Sequence, residues 1–398
     1  MILSKRSVIL ILFSILVLST ASIGMVTYMP KYLEYFGTEK PIIQLIMTIF
    51  PLTLFIFPSI LGKYSDKIQN RLLFIILGAV GVSVSLFMLI FTKNLFLVIL
   101  LSFIYGFFGA SYRIIFTLYS ELVRNNQRYI SIYNALSTGG WFLGSQSGGI
   151  FIDIYSIENI FLFLSIISLI NFVFVVFIKE NRTVILNHYQ NNSNEESNEF
   201  KEEKIISHSI YYGLFFRSFG LKPIMVVLSL IMGYHISSNT EVGFLIGLNF
   251  LIQIALMLLI GHIITEKNDK TILMLGYLFS AIATLGYIFA DDFFGFLIAQ
   301  IFVAFSYSML WSASVIHIAQ NSTLMNKGKY LGYANTSTFS GGFLGGLVFS
   351  LLLMIFSSHD NPYYIAMYFM IVFPLLAVVS ILIKFKPKKR LLESFKKK

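Results

Sequence analysis

The sequence predicts an all-α membrane protein with twelve transmembrane helices, arranged as two pseudo-symmetric six-helix bundles. Three observations lead there. The 398 residues are 57% hydrophobic and only 12% charged, about half the charged share of a soluble domain. Unalternated apolar runs of about 20 residues, the length of a bilayer-spanning helix, recur along the chain. Lys and Arg gather in alternate connecting segments, as the positive-inside rule requires.

The first half, 1–178, has apolar runs near 7–30, 41–62, 72–92, 95–118, 130–152 and 159–178. The first run follows Lys5 and Arg6 and passes "LSTAS", which resembles a secretory cleavage point. It continues to Tyr28, so it reads as an uncleaved first helix. Residues 179–209 are rich in Asn, Glu, Lys and Ser, cannot build a core, and read as a cytoplasmic linker. The second half, 210–384, has runs near 219–238, 242–264, 271–290, 294–317, 330–356 and 362–383. Arg217 and Lys222 fall before or at the edge of the first of these, after an aromatic stretch expected to lie in the interface. Residues 385–398 form a basic tail expected to face an anionic inner leaflet.

With both termini inside, the inner segments hold 25 of the 29 Lys and Arg residues. The outer loops hold Lys31, Lys40 and Lys93, and Arg113 remains within a span. The net charge of +10 therefore sets topology in a cell membrane and does not point to nucleic acid. Cys is absent, which excludes disulfides and thiolate chemistry. The six His residues are scattered without metal-ligand spacing, and there is no phosphate-binding Walker loop. An enzyme, a metal and a cofactor are all unexpected.

The halves repeat. "GKYSDKIQNR" begins at Gly62 and "GHIITEKNDK" at Gly261, 199 residues later. "RYISIYNALSTGGWFLG" begins at Arg128 and "KYLGYANTSTFSGGFLG" at Lys329, 201 residues later. Parallel repeats of this kind place a substrate site between the halves near mid-depth.

The first motif packs Gly62, Asp66, Lys67 and Arg71 between two apolar runs. Such a knot can latch the inner ends of two bundles in one of two states. It resembles the signature of the major facilitator superfamily between spans two and three, with Gln69 where Gly is usual and Asn70 where a basic residue is usual. In span five, "GWFLGSQSGG" resembles a glycine pattern of exporters in that superfamily. Gly140, Gly144, Gly148 and Gly149 match, and Ser145 stands in place of Pro. Glycines four apart make a smooth face on which a neighbouring helix packs and slides. The resemblance implies alternating access around a polar seam between the bundles.

Arg113 is the ionisable group set deepest in a span, about 10 Å inward of the middle of span four. Tyr105, Gln146, Asn249, Gln253, Tyr307 and Trp311 are polar or aromatic groups near mid-depth of spans four, five, eight and ten. These seven are the candidate substrate contacts; the alternative for Arg113 is a partner within its bundle or snorkelling to the inner headgroups, and for each of the other six an interhelical hydrogen bond. No carboxylate is expected at mid-depth, which leaves Glu34 and Asp153, toward the outer side, as candidates for proton coupling. The expected function is export of an amphipathic small-molecule solute by a monomer, with a coupling ion such as H+. The alternatives are an uptake carrier for a sugar, peptide or organic anion, and a non-transporting receptor on the same fold.

Overall fold

A computed structural model describes residues 5–123, 127–179, 206–265, 268–322 and 324–385. The linker reading therefore lies almost wholly outside the described residues, as does the basic tail beyond Phe385. Among the described residues the regular structure is helical throughout.

The helices form twelve spans. In the first half these are Lys5–Tyr35, the pair Lys40–Met47 and Ile49–Ile68, Arg71–Leu89, the pair Leu95–Tyr112 and Ile114–Leu122, Gln127–Tyr155 and Ile160–Val176. In the second half they are the pair Ser209–Val226 and Leu228–Gly233, then Asn239–Ile263, Asp269–Phe289, Phe293–Asn321, Leu324–Ile355, and the pair Pro362–Met370 and Val372–Lys384. Ten are long and apolar enough by composition to cross a membrane. Spans five and seven are the other two. Span five spends its length on Gly, Ser and Thr, and span seven carries Arg217 and Lys222.

Two of the breaks follow from proline. Pro51 has no N–H to offer the carbonyl of Met47, and span two is interrupted at Thr48. Pro374 leaves Met370 without its partner in the same way, and span twelve is interrupted at Ile371. Side-chain caps start other helices: Asn70 accepts from the Leu73 N–H, Asn94 from Phe96, Ser238 from Glu241, and Asp292 from Gly295.

The repeat is visible in the packing. A Cβ on Gly140 or Gly144 would collide with the span-one carbonyls of Leu16 and Thr20. A Cβ on Gly341 or Gly345 would collide with the span-seven carbonyls of Phe215 and Phe219. Each bundle thus seats its first helix on a glycine face of its fifth. Gly78 against the Tyr112 backbone and Gly276 against the Leu310 backbone repeat the same close approach between the third and fourth helices of each bundle.

Ser7 hydrogen-bonds the Lys179 carbonyl, so the start of span one and the end of span six share one end of the molecule, here the near end. The bundles meet along their far halves. There, Ser229 donates to the Thr27 carbonyl, Ser350 donates to that of Pro41 at 2.7 Å, and Gly243 packs on Ser145. The contact runs as deep as Trp141 on Phe250, with ring centroids 5.2 Å apart. Toward the near end the bundles part. Gly62, Gly139, Gly261 and Gly332 have no other group within 4 Å of a would-be Cβ, and Tyr64, Ile263 and Tyr333 are exposed.

Candidate functional site

The seam brings together residues from both bundles. Arg113 sits at the break in span four, and its side chain is exposed although its neighbours Tyr112 and Ile114 are buried. It therefore faces the opening between the bundles, not the interior of its own. Its guanidinium carbon lies 5.1 Å from the ring centre of Phe339 on span eleven. The ammonium of Lys222, on span seven, lies 4.3 Å from the same ring and donates to the Thr338 carbonyl at 3.2 Å. Arg217, five residues earlier on span seven, donates from Nε to Ser280 at 3.2 Å and stands 5.7 Å from the ring of Tyr307. Tyr307 stacks on Trp311, with centroids 6.1 Å apart and planes at 5°.

This overturns the expectation for Arg217 and Lys222. Span seven begins at Ser209, ten residues before the apolar run suggests, so both cations lie inside the span. Hydropathy missed them because the two charges suppress the signal over the helix they occupy. The repeat held the information: an offset of 199 maps Arg217 and Lys222 onto Leu18 and Ile23, well inside span one.

The remaining sequence candidates divide. Tyr307 and Trp311 belong to the seam beside Arg217. Asn249 and Gln253 are buried in an amide ladder inside the second bundle: Asn249 donates to Gln300 at 2.7 Å and Gln253 donates to Asn249 at 2.5 Å. They take the interhelical role. Tyr105 is buried within the first bundle, 6.0 Å from Phe50, beside a small cavity lined by Met25, Met29 and Ser102. Gln146, on span five, keeps a buried side-chain oxygen with no hydrogen-bond donor.

The charged motif, expected to latch the inner ends of the two bundles, forms its ion pairs inside the first bundle instead. Arg71 contacts Asp66 at 3.1 Å and Glu121 of span four at 2.6 Å, and its side chain is only 7% exposed. Lys67 is exposed and Gly62 open. The second bundle links its third and fourth helices with a buried hydrogen bond, His317 Nδ1 to Asp269 at 2.7 Å. Gln69, in the position where the superfamily pattern has Gly, adopts φ 53°. That left-handed conformation is the physical reason for a glycine there.

Among the span-five glycines, Gly140, Gly144 and Gly148 receive span one, while Gly149 receives the Asn239 carbonyl from the other bundle. Close by, the Asp153 carboxylate accepts from Ser238, the cap residue before span eight, and from Asn239 and Thr240, its first residues. Lys31 donates to the Asn239 side chain at 2.6 Å, and Tyr234 donates to Glu34 at 2.5 Å. Glu34 and Asp153 thus both bridge the bundles at the far end. Among the described residues there is no cluster that could hold a metal ion.

Comparison with known proteins decides the family. The Major Facilitator Superfamily model matches residues 9–207 and 210–398. The chain belongs to that superfamily. It is a multi-pass membrane protein with the two-bundle transporter fold of that group. It is 24% identical over 365 residues to Multidrug resistance protein 2 of Bacillus subtilis (strain 168), covering 87% of this chain and 90% of that protein. The solved nucleoside transporter NupG superposes with a TM-score of 0.75 at 12% identity, over 98% of this chain and all of the other. A POT family transporter in complex with 5-aminolevulinic acid superposes with a TM-score of 0.75 at 11% identity, over 95% of each chain. At that identity the likeness to these two structures is one of fold alone.

Proposed function

We propose that the protein is a secondary transporter that exports small amphipathic solutes by alternating access. The observation that carries the reading is the seam, closed along its far half and open at the near end onto Arg113, Lys222, Tyr307 and Trp311. On the charge distribution the near end is cytoplasmic, so this is the state that loads from inside. The relative named for multidrug resistance and the glycine face of span five support export.

Cycling requires the far seam to open as the near end closes. Glu34 and Asp153 cross that seam, and they are the proposed coupling residues. The unit is a monomer: the seam is complete within one chain, and the exposed aliphatic side chains of the outer helix faces meet lipid.

The test is direction-resolved flux of fluorescent amphipathic dyes in inverted and right-side-out vesicles carrying a proton gradient. Export predicts gradient-driven accumulation in inverted vesicles only. Accumulation in right-side-out vesicles alone makes the protein an uptake carrier, and flux in neither makes it a receptor on the same fold.

A further inference from the structure

We propose that Arg113, Lys222 and Arg217 form a binding site for an oxyanion headgroup, and that the cargo is an amphipathic organic anion whose apolar body lies on Phe339, Tyr307 and Trp311. The word cargo rests on the transport reading above; the binding site does not.

These three cations are placed unlike the buried charges Arg71 and Asp269. Arg71 has Asp66 and Glu121, and Asp269 has His317. Among the described residues no carboxylate pairs with Arg113, Lys222 or Arg217. Their neighbours are ring faces, one hydroxyl, one carbonyl, and one another: Lys222 lies within electrostatic reach of both arginines. A positive cluster held at membrane depth by rings and single dipoles lacks its counter-charge. The missing partner is an anion supplied from outside the fold.

The site is reachable and shaped for that partner. Arg113 is exposed and Lys222 half-buried, in a protein that is open at the near end, and Arg217, buried against Ser280, adds its charge from behind them. A guanidinium presents a planar fork of donors and an ammonium three more, a combination suited to carboxylate, phosphate or sulfonate oxygens. Lys222 spends one donor on the Thr338 carbonyl. The parallel Tyr307–Trp311 pair beside Arg217 gives flat apolar surface next to the charge.

The placement also couples binding to movement. Arg113 belongs to the first bundle, and Lys222 with Arg217 to the second. Both bundles bring positive charge to one ring, so like charges oppose closure at the near end. An anion between them reverses the sign of that term and favours closure, which is the differential interaction a conformational change requires.

The test uses the purified full-length protein in phosphatidylcholine nanodiscs, with binding read by calorimetry and by the unfolding temperature. The probes are 2-naphthylacetate and 2-naphthyl phosphate, with neutral 2-naphthylacetamide as control. At least one anion should bind saturably, and at least tenfold more tightly than the amide. Lys222→Gln and Arg113→Gln should each weaken the anion roughly tenfold to a hundredfold without changing the amide, and Lys222→Arg should retain binding. Repeating the titration with phosphatidylglycerol in the nanodisc separates the sources: competition by the lipid assigns the site to a lipid headgroup, and its absence to a soluble anion. Equal affinity for the amide, unchanged anion affinity in both Gln variants, or full reproduction of the shift by inorganic phosphate overturns the proposal. Binding is read at equilibrium. Retained anion binding without directional flux therefore rejects the transport reading alone, and flux without anion preference rejects this site alone.

Discussion

Asp153 on span five accepts hydrogen bonds from both the backbone N–H and the hydroxyl of Thr240 on span eight, at 2.8 and 2.7 Å. With the Asn239 backbone and side chain and the Ser238 hydroxyl, one carboxylate of the first bundle caps a helix N-terminus of the second. The far end is therefore held by a charge–dipole contact across the seam, at a point where no helix of either bundle continues into the other.

Removing that cap should open the far side. A lost cap is worth about 1–2 kcal/mol, so Asp153→Ala should raise the population open to the far end roughly five- to thirtyfold. Ser145 is buried on this seam and the chain has no cysteine, so Ser145→Cys reports opening. Its labelling by an impermeant thiol reagent from the far side should quicken in the Asp153→Ala background. Unchanged labelling would remove Asp153 from the gate.

The charged motif predicts a split between two neighbours. Asp66 is 56% exposed at its side chain, and an exposed ion pair contributes under about 1 kcal/mol. Asp66→Asn should leave folding and cargo affinity intact and slow turnover at equal membrane abundance. Arg71 is buried against Glu121, and removing one member of a buried ion pair is destabilising. Arg71→Ala should lower the unfolding temperature. Equal stability losses, or normal turnover in Asp66→Asn, would contradict this assignment.

Gln69 allows a gain. Its left-handed backbone costs about 1 kcal/mol in a residue with a Cβ. Gln69→Gly should raise stability by about that amount in a denaturation series, with no effect on ligand binding. A loss of stability would mean that the Gln side chain supplies more than the backbone strain removes.

The glycine faces predict asymmetry of consequence within one helix. A Cβ at Gly144 meets the backbone oxygen of Thr20, which no rotamer relieves, whereas one at Gly139 meets nothing within 4 Å. Gly144→Val should cost about 1–3 kcal/mol or more, and Gly139→Ala close to nothing. Thermal denaturation of both variants in detergent decides it.

The sequence revealed those features that depend on length, periodicity and repetition. The apolar runs marked twelve spans, and the paired glycines at 140, 144, 341 and 345 marked the two bundles before their shared packing was visible. What failed was any boundary where charge enters a helix. Arg217 and Lys222 lowered local hydropathy and pushed the apparent start of span seven past them. Asn249 and Gln253 were legible as buried polar groups, but a sequence does not say that Gln300 lies within reach to satisfy them. Asp153 was legible as an acid near the outer side. Its role as a cap depends on the approach of span eight, a contact between residues 85 or more positions apart.

The central claim is that two bundles rock about one seam, and paired distances test it most directly. The cysteine-free chain accepts spin labels at the exposed residues Tyr64 and Tyr333 near the open end, and at Tyr155 and Glu241 beside the far seam. Double electron–electron resonance in nanodiscs, with and without a bound anionic probe, should find the near-end distance shortening as the far-end distance lengthens. Distances that stay fixed, or that change in the same direction at both ends, would contradict the account.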